Sequence, residues 1–416
     1  MKHIKYGLCV SCNQKVDLNQ SNTCPKCKDK GILDVVYDYK YLKKTITKSF
    51  FTEHKTFNIW RYKDLISIKA DEILNTLSVG WTPLMFANNL TKQLAVKSLH
   101  IKDEGMQPTG SLKDRASFVA VVKAYQLGKD TIACASTGNA ATSLAGNAAK
   151  LGLKTVIFVP KRAPLGKTAQ LLMYGAQLVR VDGDYKAAYN LSKQAIDKYH
   201  WYNRNAAVNP HMVEGKKTVA YEIIEQLDFE APDWVVVSVG DGCTIAGLYK
   251  GFYDFYKLGL INNIPKLLGV QSEGCAPIYQ SFHTNHDIKE ADENTLADSI
   301  AVGIPRNPIK ALEAVKKSKG TMVKVSDEAI LKAMKTLGNY EGIFAEPASA
   351  AGYAGLKDAV QKNLINHHES IVFINTGNGL KDIDNALKSV PNKDVVKADL
   401  KALENYLEIK DEMNDS

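Results

Sequence analysis

Two rhythms of apolar and polar positions alternate along the chain. Short apolar runs bounded by Gly, Pro, Asn and Asp read as buried strands at 98–102, 131–135, 155–159, 178–181, 234–239, 266–270 and 370–374. Between them, segments with a period near 3.6 predict helices over 140–150, 168–174, 185–198, 218–227 and 244–256. Strand followed by helix, repeated, predicts an α/β fold of parallel sheets flanked by helices, with ligands gathered at the carboxyl ends of the strands. The pattern lapses before residue 75, where Phe50, Phe51, Trp60, Arg61 and Tyr62 sit in an irregular stretch expected to cover a core or a subunit contact. The charged residues 392–416 read as a surface helix with a frayed tail.

One helix start stands out. In Pro108-Thr-Gly-Ser-Leu-Lys-Asp-Arg115 a turn becomes a helix, and Ser111 with Asp114 has the S-x-x-D spacing of a capping box. Lys113 then falls in the first turn, where free N–H groups disfavour a cation; a neutral amine is what Schiff-base chemistry requires. Three further strand-to-helix turns carry unusual chemistry. Ser136-Thr-Gly-Asn139 offers hydroxyls and helix N–H groups suited to a carboxylate. Gly240-Asp-Gly-Cys-Thr244 brings backbone N–H groups together as a phosphate would need, although it matches neither the nucleotide P-loop nor the dinucleotide fingerprint. Thr376, in Thr-Gly-Asn-Gly-Leu-Lys-Asp382, can meet a ring nitrogen. An amine, a phosphate cradle, a hydroxyl and a carboxylate pocket together describe a pyridoxal phosphate site.

Composition narrows the class. A chain of 416 residues, 45% hydrophobic and 24% charged, is expected to be a globular protein of more than one unit. The net charge of +8 is spread without any run of five basic residues, which argues against a nucleic-acid surface. No apolar stretch approaches the ~20 residues of a membrane span, and no signal-peptide core opens the chain, so a cytoplasmic protein is expected. Of seven cysteines, Cys9-x2-Cys12 and Cys24-x2-Cys27 have the spacing of a zinc ribbon. Four protein ligands leave no open position, so the metal is expected to be structural.

The motifs resemble those of the threonine synthase family, within the fold-type-II pyridoxal phosphate enzymes. The resemblance runs from the ribbon through the Lys113 motif, Ser136–Asn139, Asn209-Pro with Glu214-Gly-Lys-Lys-Thr218, the segment from Glu341 to Ala351, and Thr376–Asp382. It implies a ribbon at 1–38, a large cofactor-binding domain from 39–97 and 221–400, a small domain at 98–220, and a tail at 401–416. It implies that Lys113 binds the cofactor and moves protons, that Asn139 holds its phenolic oxygen, that Gly240, Asp241, Gly242, Cys243 and Thr244 surround its phosphate, and that Thr376 faces its ring nitrogen. Ser136, Thr137, Gly138 and Asn205 would contact an amino-acid substrate, in a homodimer.

Four departures bear on the substrate. Where the family commonly has a hydroxyl, a serine, an arginine and an asparagine, this chain has Ala140, Ala207, Met212 and Asp241. Asn378 in place of a histidine matters less. Lost contacts to a dianion are worth about 1.5–3 kcal/mol each. Three expectations follow: phosphate elimination from O-phosphohomoserine with addition of water, with Arg204 or Lys216 compensating; an ammonia-lyase or dehydratase acting on an unphosphorylated amino acid such as threonine, serine or diaminopropionate; or a ribbon interaction protein on an inactive scaffold.

Overall fold

The computed structural model describes residues 3–161, 165–205, 208–390 and 395–414. Three sheets carry the fold. The largest has the order Thr321–Val325, Lys266–Ser272, Trp234–Ser238, Ser370–Asn375, Ser98–Asp103 and Leu84–Phe86, parallel except for the last strand. Its central strands are buried on both faces, which explains their unbroken Val, Ile and Leu runs. Helix Pro347–Gln361 lies directly on this sheet. A Cβ on its Gly355 would come within 2.4 Å of Val270, so the close approach needs glycine there.

A four-stranded parallel sheet follows the order Tyr202–Asn203, Thr131–Ala135, Lys154–Pro160 and Gln177–Val181. The third sheet is antiparallel and joins Lys15–Val16, Ile4–Cys9, Lys28–Tyr37 and Thr23–Cys24. The expected alternation of strand and helix is present, and the helix Leu400–Asn414 lies near the end of the chain.

Three details of the elements differ from the reading of the sequence. Strand Ser98–Asp103 pairs along its whole length with Ser370–Asn375, so residue 98 opens no smaller unit; this strand belongs to the large sheet. The boundary at 220/221 falls inside the unbroken helix Thr218–Gln226. The stretch before residue 75 contains the helix Lys48–Glu53 and the 3-10 helix Ile59–Leu65. Phe51, Trp60 and Tyr62 are buried there, and Arg61 meets Glu225 at 2.7 Å, so these residues close a core. A short, irregular element carries no long period for the sequence to display.

Candidate active site

Lys113 is placed by the strand Ser98–Asp103, which runs into a tight turn through Gly110 and then into helix Lys113–Gln126. The capping box is not formed. Asp114 turns back instead and accepts from Thr109 N at 2.8 Å, Thr109 Oγ1 at 2.9 Å and Asn147 Nδ2 at 2.9 Å. Burial raises the Asp114 carboxyl to about 6 against these donors. Ser111 Oγ is buried with no hydrogen-bond partner among the described residues. Leu112 N donates to Thr376 O at 2.9 Å and Asn378 N to Gly110 O at 3.0 Å, stitching the lysine turn to the turn after strand Ser370–Asn375.

Behind this turn Arg115 is fully buried. It donates to Glu104 through Nε at 2.7 Å and Nη2 at 2.6 Å, and to Glu222 at 2.6 and 2.7 Å. Lys102 reaches Glu222 at 2.8 Å. The network locks the helix start that carries Lys113.

In front, the turn after Thr131–Ala135 leads into helix Asn139–Lys150. Ser136 Oγ accepts from Gly138 N at 3.2 Å and so closes the turn on itself. Asn139 Nδ2 donates to both oxygens of Glu346, at 3.0 and 2.9 Å. Burial raises the Glu346 carboxyl above the usual range; the Asn139 donor and the Lys113 charge oppose it. Thr137, Gly138, Asn139, Thr142, Ser299 and Glu346 line one cleft. Thr376 is half-buried, and its N–H donates to Ser349 Oγ at 2.8 Å.

The glycine turn follows strand Trp234–Ser238 and opens helix Cys243–Leu258. Gly242 has φ +85°, and a Cβ on it would lie 2.7 Å from both Asn307 O and Ala311 Cβ; only glycine fits. Gly240 lies against Ile300, and Thr244 is in the first helical turn. Asp241 Oδ1 accepts from Arg306 N at 3.1 Å, and its carbonyl from Asn307 N at 2.9 Å. Its carboxylate therefore staples the loop.

A second cavity is lined by Lys113 and Ala140. Arg204, Asn209, Met212, Lys216, Asp241 and Cys243 complete its lining. Arg204 is buried and donates through Nε and Nη2 to Ser117 Oγ at 3.2 and 3.1 Å. Lys216 is 7% exposed, and among the described residues no hydrogen bond or ion pair holds its ammonium. Burial, helped by the charge of Lys113, lowers it to about 8. Burial raises the Cys243 thiol, with Lys216 acting in the opposite direction. Three cations thus face one carboxylate that is already engaged, an arrangement suited to an anion.

Thr137, Gly138 and Asn139 therefore come together in the first cavity, and Lys113, Asp241 and Cys243 in the second. Asn205 lines neither. Its Oδ1 accepts from Ala135 N at 2.9 Å and its Nδ2 donates to Ser192 Oγ at 3.3 Å, so both ends are used within the small sheet. Ala207 lies outside the described residues. Glu346, absent from the expected site, is brought in by the start of helix Pro347–Gln361; only its membership of the 341–351 segment hinted at it. In the amino-terminal sheet, the sulfurs of Cys9, Cys12, Cys24 and Cys27 lie within 4.8 Å of one another.

The donor set fits pyridoxal phosphate: an amine in a first helical turn, an amide, a backbone cradle that only glycine can form, and a hydroxyl. Residues 76–377 match the family of pyridoxal-phosphate dependent enzymes. The chain is 37% identical over 402 residues to the threonine synthase of Methanocaldococcus jannaschii, covering 96% of this chain and 98% of that one. It is 39% identical over 407 residues to the threonine synthase of Methanosarcina acetivorans, covering 97% and 98%. Among solved structures, threonine deaminase isoform 2 from Solanum lycopersicum aligns with a TM-score of 0.65 at 24% identity, over 74% of this chain and 87% of that one. Diaminopropionate ammonia lyase from Escherichia coli aligns at 0.65 and 20% identity, over 83% and 94%. At these identities the two structures speak for the fold.

Proposed function

The chain belongs to the pyridoxal-phosphate-dependent enzymes and, among them, to the threonine synthase family, and from that membership we propose that it converts O-phosphohomoserine and water to threonine and phosphate. The observation that carries this reading is the cavity beside Lys113. Among the described residues its buried Lys216 has no partner, and Arg204 lies in the same wall, where Met212 supplies no guanidinium. These cations compensate for the departures at 140 and 212 and take the substrate's phosphate. Asp241 Oδ1 accepts from Arg306 N, which fixes its carboxylate in the loop at the edge of this cavity.

The bound cofactor supplies an aldehyde and an electron-accepting ring. Lys113 would provide the amine for that aldehyde and would hold and move protons at its Nζ. Asn139 would orient the cofactor's phenolic oxygen, with its amide held by Glu346, whose carboxyl burial raises above the usual range. N–H groups from the loop 240–244 and the start of helix Cys243–Leu258 hold the cofactor phosphate. Thr376 would meet the ring nitrogen, where a neutral hydroxyl would leave the ring less protonated than a carboxylate would. Thr137 and Gly138 present the substrate carboxylate with a helix start. Loss of phosphate from the γ-carbon and addition of water at the β-carbon then balance as threonine plus phosphate.

The reading is tested by offering O-phosphohomoserine, threonine, serine and 2,3-diaminopropionate separately to the holoenzyme. Phosphate and threonine released in equal amounts from the first support it; turnover of the unphosphorylated amino acids alone would replace it with the lyase. The four cysteines hold a structural zinc in this reading. At Zn–S distances of about 2.3 Å, tetrahedral sulfurs lie about 3.8 Å apart, and Cys12 and Cys24 are 3.6 Å apart. Elemental analysis finding no metal would remove it. A cytoplasmic homodimer of this chain completes the proposal, checked by light scattering. Among the described residues no helix is long and apolar enough to cross a membrane.

A further inference from the structure

Strand Lys28–Tyr37 lies inside the amino-terminal sheet, and its side chains also reach three helices that border the glycine loop, Cys243–Leu258, Pro308–Lys317 and His211–Lys216. Its Asp34 carboxylate accepts from Lys250 Nζ at 3.0 Å and from Lys310. Lys250 belongs to helix Cys243–Leu258, which begins at the loop, and it also reaches Val35 O and Glu214 Oε1, both at 2.7 Å. Lys310 lies in the first turn of helix Pro308–Lys317. Just before that helix, Asn307 donates its N–H to Asp241 O at 2.9 Å and packs its carbonyl against Gly242. Ile32, two residues before Asp34, packs with Val213 and Cys243. Tyr37 donates to Glu214 in helix His211–Lys216, the helix that presents Met212 and Lys216 to the second cavity.

Burial alone would raise the Asp34 carboxyl, but the two ammoniums overcome it and hold the group below the ordinary carboxylate range. The pairing is reciprocal. Lys310 is 9% exposed, and among the described residues its only ion pair is with Asp34, whereas Lys250 keeps Glu214 as a second partner. Removing the Asp34 charge leaves one buried ammonium without a carboxylate. Such a group moves toward water, and here it would carry the start of its helix with it.

We infer that Asp34, supported by Ile32, is a positioning residue of the glycine loop. Its carboxylate ties the start of helix Pro308–Lys317 to Lys250, about two turns into helix Cys243–Leu258, at the separation that lets the N–H groups of 241–244 converge on one phosphate. The inference rests on the proposed role of that loop toward the cofactor phosphate. It touches no reacting atom and acts through Lys310, Asn307 and Gly242.

The test uses the full chain freed of cofactor and titrated, in separate experiments, with pyridoxal 5'-phosphate and with pyridoxal, which lacks the phosphate. Intrinsic tryptophan fluorescence reads binding, with wild type, Asp34→Asn, Asp34→Glu and Ile32→Ala compared. The expected result is a loss of about tenfold in affinity for the phosphorylated ligand in Asp34→Asn, with pyridoxal changed by less than about twofold and Asp34→Glu restoring most of the loss. Ile32→Ala carries the same selective loss, and decides the matter should Asp34→Asn not fold. Equal losses for both ligands, or no loss for either, overturn the inference, because a general loosening of the fold would not single out the phosphate. A wild-type chain that binds neither ligand overturns the cofactor role of the loop itself.

Discussion

Two buried polar regions flank the start of helix Lys113–Gln126, and they differ in how fully their charges are answered. Behind it, Arg115, Lys102, Glu104 and Glu222 have fully buried side chains, and each meets an opposite charge at 2.6 to 2.8 Å. In front, Lys216 is buried without a partner among the described residues, and Ser111 Oγ is unbonded. A completed network fixes geometry and leaves nothing to bind. An incomplete one costs stability that only a ligand can return. The first region is the foundation of the site and the second is its mouth.

The comparison can be broken most severely at Lys113. Lys113→Ala is expected to lower turnover by at least about 10³-fold, with the circular dichroism spectrum and melting temperature of the cofactor-free chain unchanged. Residual activity near wild type would remove this lysine from the chemistry. The foundation is tested by Arg115→Met, which leaves Glu104 and two oxygens of Glu222 short of a partner. Urea unfolding should show a loss of about 3–5 kcal/mol; a loss below about 1 kcal/mol would mean that the network is not structural.

Lys216→Met should act in the opposite sense. It removes a buried ammonium that no protein group holds, so stability is kept or raised, while KM for O-phosphohomoserine rises about 10- to 100-fold, the equivalent of about 1.5–3 kcal/mol. A fall in stability with KM unchanged would place Lys216 in the foundation instead. The smallest effect is one of pH. Burial lowers Lys216 to about 8, so the free enzyme holds its proton below that pH and loses it above. A phosphate dianion binds the protonated form, so KM should rise as pH passes through 8, by at most about tenfold per unit. The profile should flatten in Lys216→Met.

The foundation and the mouth were not equally legible in the sequence. Lys113, the turn at Ser136–Asn139 and the loop at Gly240–Thr244 stand at strand-to-helix junctions, where glycine and a change of period punctuate the chain. Long-range partners leave no such mark. Asn205 was expected beside the substrate, but its amide is taken by Ala135 and Ser192, seventy and thirteen residues away in sequence. Ser111 and Asp114 have capping-box spacing, yet Asp114 is drawn to Thr109 and to Asn147 on the neighbouring helix. Glu346 enters through burial that no local pattern announces. Strand Ser98–Asp103 was read correctly as a strand, but its membership of the large sheet depends on pairing with residues 370–375, which no local rhythm shows. Local signals therefore located the turns, and packing decided which side chains face one another.

The most direct test of the account is the ratio of kcat/KM for O-phosphohomoserine to that for threonine, measured in wild type and in Lys216→Met. The account predicts a strong preference for the phosphorylated substrate in wild type that collapses in the variant. A wild-type preference for threonine, or a phosphate preference untouched by Lys216→Met, would contradict it.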